Sequence, residues 1–112
     1  MKTYKVRLTK RALQDIDDID IYISSQLLSP ATAENMRIKF HDAMSSLETM
    51  PMRYPLVADA FHASLGYRVL PVKNYLIFYT VDDSLPDVRN VDIERVLYAG
   101  RNWQQILGCF QE

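Results

Sequence analysis

Residues 75–81 read Tyr75-Leu76-Ile77-Phe78-Tyr79-Thr80-Val81. The run is rich in aromatic and β-branched side chains and shows no alternation of apolar with polar. It predicts a central strand covered on both faces. Upstream, Tyr67 to Val72 (YRVLPV) forms a second strand. Downstream, beyond the polar hairpin loop Asp82-Asp83-Ser84-Leu85-Pro86-Asp87, Val91 to Tyr98 (VDIERVLY) forms a third. Connections this short make the three strands antiparallel. Further back, residues 51–65 carry Pro51, Pro55, Arg53 and Tyr54 without clear periodicity. They read as a loop with at most a turn of helix or an irregular strand.

Two helices precede that loop. Ala12, Ile16, Ile19, Ile23 and Leu27 recur at steps of four, three, four and four. This is the stripe of an amphipathic helix over roughly Lys10 to Leu27, with Thr9 as N-cap. Its polar face carries Asp15, Asp17, Asp18 and Asp20. Ser29-Pro30 starts a second helix, Ser as cap and Pro in the first turn. Ala33, Met36, Phe40, Ala43, Met44 and Leu47 supply its apolar face, and Pro51 ends it. The short join makes the pair an antiparallel hairpin. Tyr4 to Leu8 alternates as an N-terminal strand. At the other end Asn102 caps a short helix with Trp103, Ile106, Leu107 and Phe110 on one face. The order predicts one α+β domain over 1–112: a helical hairpin packed on a mostly antiparallel four-stranded sheet, with a short C-terminal helix.

Composition narrows the function. The chain has 112 residues, with 13 Lys plus Arg against 14 Asp plus Glu and a net charge of −1. Proteins that live on phosphate backbones are usually visibly basic. The single cysteine, Cys109, excludes an internal disulfide framework and any Cys-rich zinc module. No apolar run approaches the ~18 residues of a membrane span. Met1 to Arg7 lacks the apolar core of a secretory signal, so a reducing, cytoplasmic compartment is expected.

Chemical motifs are scarce. The four Asp of the first helix read as a solvated polar face, since a hard-cation site needs oxygens from several elements. His41 and His62 show no metal-ligand spacing, and Cys109 reads as a packed thiol. No metal or cofactor is expected. One cluster stands out: Arg68, Arg95, Tyr98, Arg101 and Trp103 come from the last three strands and the start of the last helix. Guanidinium groups beside aromatic rings hold phosphates or carboxylates and stack on bases. Surface Arg paired with Asp87, Asp92 or Glu94 is the plainer reading of the same residues.

The stretch Gly66-Tyr67-Arg68-Val69-Leu70-Pro71-Val72-Lys73-Asn74-Tyr75-Leu76-Ile77-Phe78-Tyr79 and the close Val96-Leu97-Tyr98-Ala99-Gly100-Arg101-Asn102-Trp103 resemble the RelE/ParE superfamily. These are toxins of bacterial type II toxin–antitoxin modules. The resemblance implies the fold argued above. It also implies one of two activities: ribosome-dependent messenger-RNA cleavage in RelE-like members, or inhibition of DNA gyrase in ParE-like members. In the RelE-like pattern the first strand of the stretch carries two alternating basic residues, and the next strand carries an Arg. Here Arg68 matches the first position, while Leu70 and Leu76 stand at the other two.

A ribonuclease without metal must stabilise an extra negative charge at phosphorus with preorganised cations and a proton carrier. Removing one such donor typically costs ~10²–10³ in rate. The RVLPV…YLIFY run (Arg68–Val72, Tyr75–Tyr79) and the VLYAGRNW close (Val96–Trp103) are more similar to the ParE-like branch, and that resemblance implies a plasmid-stabilisation toxin that inhibits gyrase rather than an enzyme. The alternatives are a nuclease using Arg68, Tyr98 and Arg101, and an inactive antitoxin-binding relative. The resemblance further implies a cognate antitoxin that lays an amphipathic helix over the toxin. Met50, Met52 and Tyr54 are its candidate contacts, Met36 and Met44 being better suited to the core. Arg68, Arg95, Tyr98, Arg101 and Trp103 are the candidate target contacts, on gyrase or on the ribosome with its message. A toxin dimer within a larger hetero-oligomer also fits the resemblance.

Overall fold

The computed structural model describes residues 3–103. The strand quoted first is β3, Tyr75–Asp82. It lies inside a four-stranded sheet with β1 (Lys5–Leu8), β2 (Arg68–Val72) and β4 (Asn90–Tyr98), in the order β1-β4-β3-β2. β3 runs antiparallel to β2 and β4, and β1 lies parallel to β4 at the edge. Both faces of β3 are covered. Ile77 and Tyr79 enter a main core under the helices, and Phe78 enters a second cluster on the opposite face with Val57, Tyr67 and Leu97.

The helices are α1 (Lys10–Ile21) and α2 (Pro30–Ser46). Thr9 caps α1 as expected, accepting the Ala12 N–H at 3.1 Å. Ser29 makes no such cap: its hydroxyl donates to Thr32 Oγ1 at 2.6 Å, and Pro30 alone opens the helix. Ala33, Met36, Phe40 and Leu47 of the hairpin are buried, which places Met36 in the core. The first helical stripe is broken at its end. Residues Tyr22–Gln26 form a π-helical turn, closed by the Leu27 N–H on Tyr22 O at 3.3 Å. One extra residue in the turn rotates the register, so Leu27 leaves the core that its spacing predicted and becomes exposed. Residues 51–65 contain a 3₁₀ turn at Pro51–Arg53 and a short helix α3, Ala60–Ser64. The C-terminal helix expected after Asn102 lies outside the described residues.

β4 holds the main irregularity. Phe78 pairs with Arg95 but Tyr79 pairs with Ile93, so Glu94 is an extra residue opposite β3. Ile93 and Val96 consequently both enter the main core although they are three apart, a spacing that a regular strand would split between faces.

The bulge is held from α1 by Asp15, which is buried and not on the solvated face expected for it. Its side chain is 10% exposed and that of Arg95 is 8%. Arg95 Nε donates to Asp15 Oδ2 at 2.5 Å and Nη2 donates to Oδ1 at 2.8 Å. The Val96 N–H donates to Oδ2 at 3.0 Å. One carboxylate thus ties the middle of α1 to β4 just past the bulge. Across the bulge, in the middle of β3, the buried Tyr79 hydroxyl donates to Pro51 O at 2.5 Å, fastening the loop after α2.

Two tests follow from these contacts. Removing one partner of a buried ion pair leaves the other charge uncompensated, so Asp15→Ala should lose about 3–5 kcal/mol of stability in urea denaturation. A loss of about 1 kcal/mol or less, the worth of a surface pair, would show that the pair does not hold the fold. Burial pushes the Tyr79 phenol up to about 12. The folded state therefore disfavours the phenolate. The associated stability should be intact below the ordinary tyrosine value of about 10 and be lost as pH rises from there toward 12. Tyr79→Phe should flatten that alkaline limb.

Candidate functional site

Beyond its Arg95 pair, β4 runs out to Tyr98 at the end of the sheet. There Tyr98 pairs with Tyr75, the first residue of β3. The chain turns back at once, with the Ala99 N–H on Asn74 O at 2.8 Å and the Arg101 N–H on Tyr98 O at 3.1 Å. Gly100 permits this turn. A Cβ there would come within 2.5 Å of the Tyr98 ring, which folds back over the glycine. The Tyr75 and Tyr98 rings meet edge to face at 5.9 Å, and Phe40 meets Tyr75 at 5.6 Å from the α2 side.

A cleft of about 630 Å³ opens here, between the sheet end and the π-helical end of the hairpin. Ile19, Tyr22 and Leu27 line it from the hairpin, Tyr75, Tyr98 and Arg101 from the sheet, and Asp18 adds a carboxylate. Burial raises the Tyr75 phenol above its usual value, and the nearby Tyr22 and Tyr98 phenols add to the effect. The cleft combines π faces, a few polar groups and open access, which suits it to gripping a side chain or a base.

The candidate residues do not all converge on it. Tyr98 and Arg101 do, and the Arg101 side chain has no partner among the described residues. Arg68 lies four residues along β3 and one strand over, since it pairs with Tyr79. At roughly 3.3 Å per residue the separation along β3 alone is about 13 Å. Its guanidinium is engaged, with Nη1 donating to Tyr54 O at 2.7 Å and Met52 O at 3.3 Å. Arg95 is buried against Asp15 and offers no outer surface. Trp103 packs on the sheet face away from the hairpin, against Phe78 at 5.2 Å and His62 at 6.3 Å.

Met50, Met52 and Tyr54 sit near Arg68, at the far end of α2 from the cleft. Met50 and Met52 are exposed, as their loop position suggests. Tyr54 is half-buried against the main core, with the Arg53 guanidinium 5.2 Å over its ring. Tyr22, Tyr75 and Asp18 were not among the candidates. Only knowing that the hairpin end meets the sheet end at Tyr98 would have joined them to Arg101.

Among the described residues neither sheet face presents a row of cations. Leu70, at the second basic position of the nuclease pattern, is buried in the main core. Leu76, at the third, packs in the second cluster with Val69 and Trp103. No three His, Cys, Asp or Glu side chains converge as metal ligands among the described residues. No described helix is long and apolar enough to cross a membrane.

The fold is that of a toxin from a type II toxin–antitoxin system. The family model for the ParE toxin of the parDE type II system matches residues 6–103, and the chain belongs to that family. Two solved structures show the same fold. The chromosomal ParDE toxin–antitoxin system of P. aeruginosa aligns with a TM-score of 0.69 at 15% identity, over 88% of this chain and 98% of that one. The RelBE2 toxin–antitoxin complex of Mycobacterium tuberculosis aligns with a TM-score of 0.53 at 21% identity, over 86% and 98%. No curated protein sequence matches the chain.

The two arginines should separate in a stability measurement. Arg68→Ala frees two backbone carbonyls and should cost about 1–3 kcal/mol. Arg101→Ala removes no side-chain hydrogen bond or ion pair among the described residues and should stay within about 0.5 kcal/mol of wild type. Comparable losses in thermal denaturation would contradict this division of roles.

Proposed function

We infer that this toxin acts by binding DNA gyrase as a protein inhibitor and that it carries out no phosphodiester cleavage itself. The observation that carries the reading is the fate of Leu70 and Leu76. Both are packing residues, one in each core, at positions where the nuclease pattern needs cations. A lysine at 70 would have to be buried under α2, where an unpaired charge is costly. The remaining candidates, Tyr98 and Arg101, provide one cation and one phenol, too few groups to stabilise a pentavalent phosphate and also move its protons. They are well suited to gripping a protein, because Tyr and Arg dominate the strong points of protein interfaces.

In this reading the cleft rim at Tyr98 and Arg101 contacts the target, and the cognate antitoxin keeps the toxin silent until it is lost. Both would take place in the cytoplasm, where gyrase works. The second reading, messenger-RNA cleavage on the ribosome, rests on the same two residues, with Arg68 about four residues away along the sheet.

Expression without the antitoxin should arrest growth and induce a DNA-damage response while transcripts stay intact. Arg101→Ala should relieve the arrest by about 10-fold or more in surviving colonies, the effect of losing an interface anchor worth about 2 kcal/mol. Gly100→Ala should act the same way by displacing the Tyr98 ring. Codon-phased transcript cuts without DNA damage would overturn the gyrase reading in favour of the nuclease.

A further inference from the structure

Three phenols meet in the cleft between the hairpin and the sheet end. Phe40 fixes Tyr75 from behind, edge to face at 5.6 Å, and Tyr98 stands against Tyr75 at 5.9 Å with the ring planes inclined at 72°. Tyr22 borders the same space from the π-helical turn. Its phenol and that of Tyr98 add to the burial that raises Tyr75. Tyr22 and Tyr98 are half exposed, and none of the three hydroxyls has a hydrogen-bond partner among the described residues. Two rings at this angle form a corner backed by the core. A flat heterocycle stacked on one ring meets the edge of the other, the arrangement that aromatic groups favour.

Two charged groups face the same space. Arg101 makes no side-chain hydrogen bond or ion pair among the described residues. Asp18 takes the Gln14 amide on Oδ1 at 2.8 Å, which leaves Oδ2 open. Asp15 also borders the cleft, but Arg95 and the Val96 N–H occupy its carboxylate. Among the described residues the cleft therefore offers aromatic faces, one available cation and one available carboxylate. Its volume of about 630 Å³ is that of a small-ligand site.

This set of groups selects a ligand. A guanidinium holds a phosphate through paired N–H donors. One cation matches one phosphate, whereas a nucleic-acid strand is held by a row of cations. The carboxylate reads the base, since it only accepts hydrogen bonds. Guanine presents its N1–H and its N2 amino group side by side, two donors for one carboxylate. Adenine and cytosine each place a lone pair beside their amino group, and uracil flanks its single N–H with carbonyl oxygens. Each of these would set an acceptor against Asp18, which is unfavourable. We propose that the cleft binds a guanine nucleoside monophosphate, with the base stacked in the tyrosine corner, its N1 and N2 edge on Asp18 and its phosphate on Arg101. The site stands on the cleft and not on the gyrase reading. A bound nucleotide covers Tyr98 and Arg101, so it competes with any target held there.

Calorimetric titration of the purified full chain with GMP, AMP, guanosine and inorganic phosphate tests the assignment. GMP should bind at least ~10-fold more tightly than any of the other three. Arg101→Ala should bring GMP down to the guanosine level while leaving guanosine within about twofold. Asp18→Asn, an exposed change, should abolish the preference for GMP over AMP without moving the thermal midpoint. Asp42→Asn, on the exposed surface of α2, should leave GMP affinity unchanged. Absence of GMP binding at millimolar concentration overturns the proposal, and so does equal affinity for AMP. A single-stranded trinucleotide that binds more tightly than GMP also overturns it, because that result marks a strand-binding groove.

Discussion

One buried carboxylate holds this architecture together. Asp15 takes two N–H bonds from Arg95 and one from the backbone of Val96, and so joins α1 to β4. A buried ion pair is costly to desolvate and contributes modestly to net stability. Its greater effect is on geometry. It fixes which turn of α1 lies over which residue of β4, and it does so just past the bulge at Glu94. The π-helical turn and the strand end are thereby held opposite each other, and the cleft is the space between them.

Charges in the chain consequently divide into two uses. Arg95 and Arg68 are structural, one holding a helix to the sheet and the other holding the loop 52–54 to β2. Arg101 and Asp18 face the cleft and have few ties within the chain. A near-neutral net charge conceals this division. It agrees with an action on proteins, where local complementarity decides binding, better than with an action on a phosphate backbone, where the number of cations decides it.

Much of the fold was legible because it depends on periodicity. The alternation of Tyr4, Val6 and Leu8, the helical spacing of Ala33, Met36 and Phe40, and the unbroken apolar run at 75–81 each point to one kind of element. What periodicity could not carry was any event that depends on a partner far along the chain. Asp15 shares i, i+3 spacing with Asp18 and reads as part of a polar face, yet Arg95, 80 positions away, draws it inside. The π-helical turn leaves no mark in the pattern and moves Leu27 outward. The bulge puts Ile93 and Val96 on one face, which alternation alone would deny. The candidate site was half legible for the same reason. Tyr98 and Arg101 close a strand and were visible there, whereas Tyr22 and Asp18 reach the cleft only through the docking of α1.

The proposed action is on gyrase by contact and not on RNA by chemistry. The most direct measurement adds the purified toxin, freed of antitoxin, to gyrase with relaxed plasmid, and in parallel to ribosomes translating a defined message. Action on gyrase gives blocked supercoiling or accumulated cleaved DNA, relieved by adding antitoxin back, with the message left whole. Unimpaired supercoiling together with a message cut at the ribosomal A site would contradict it.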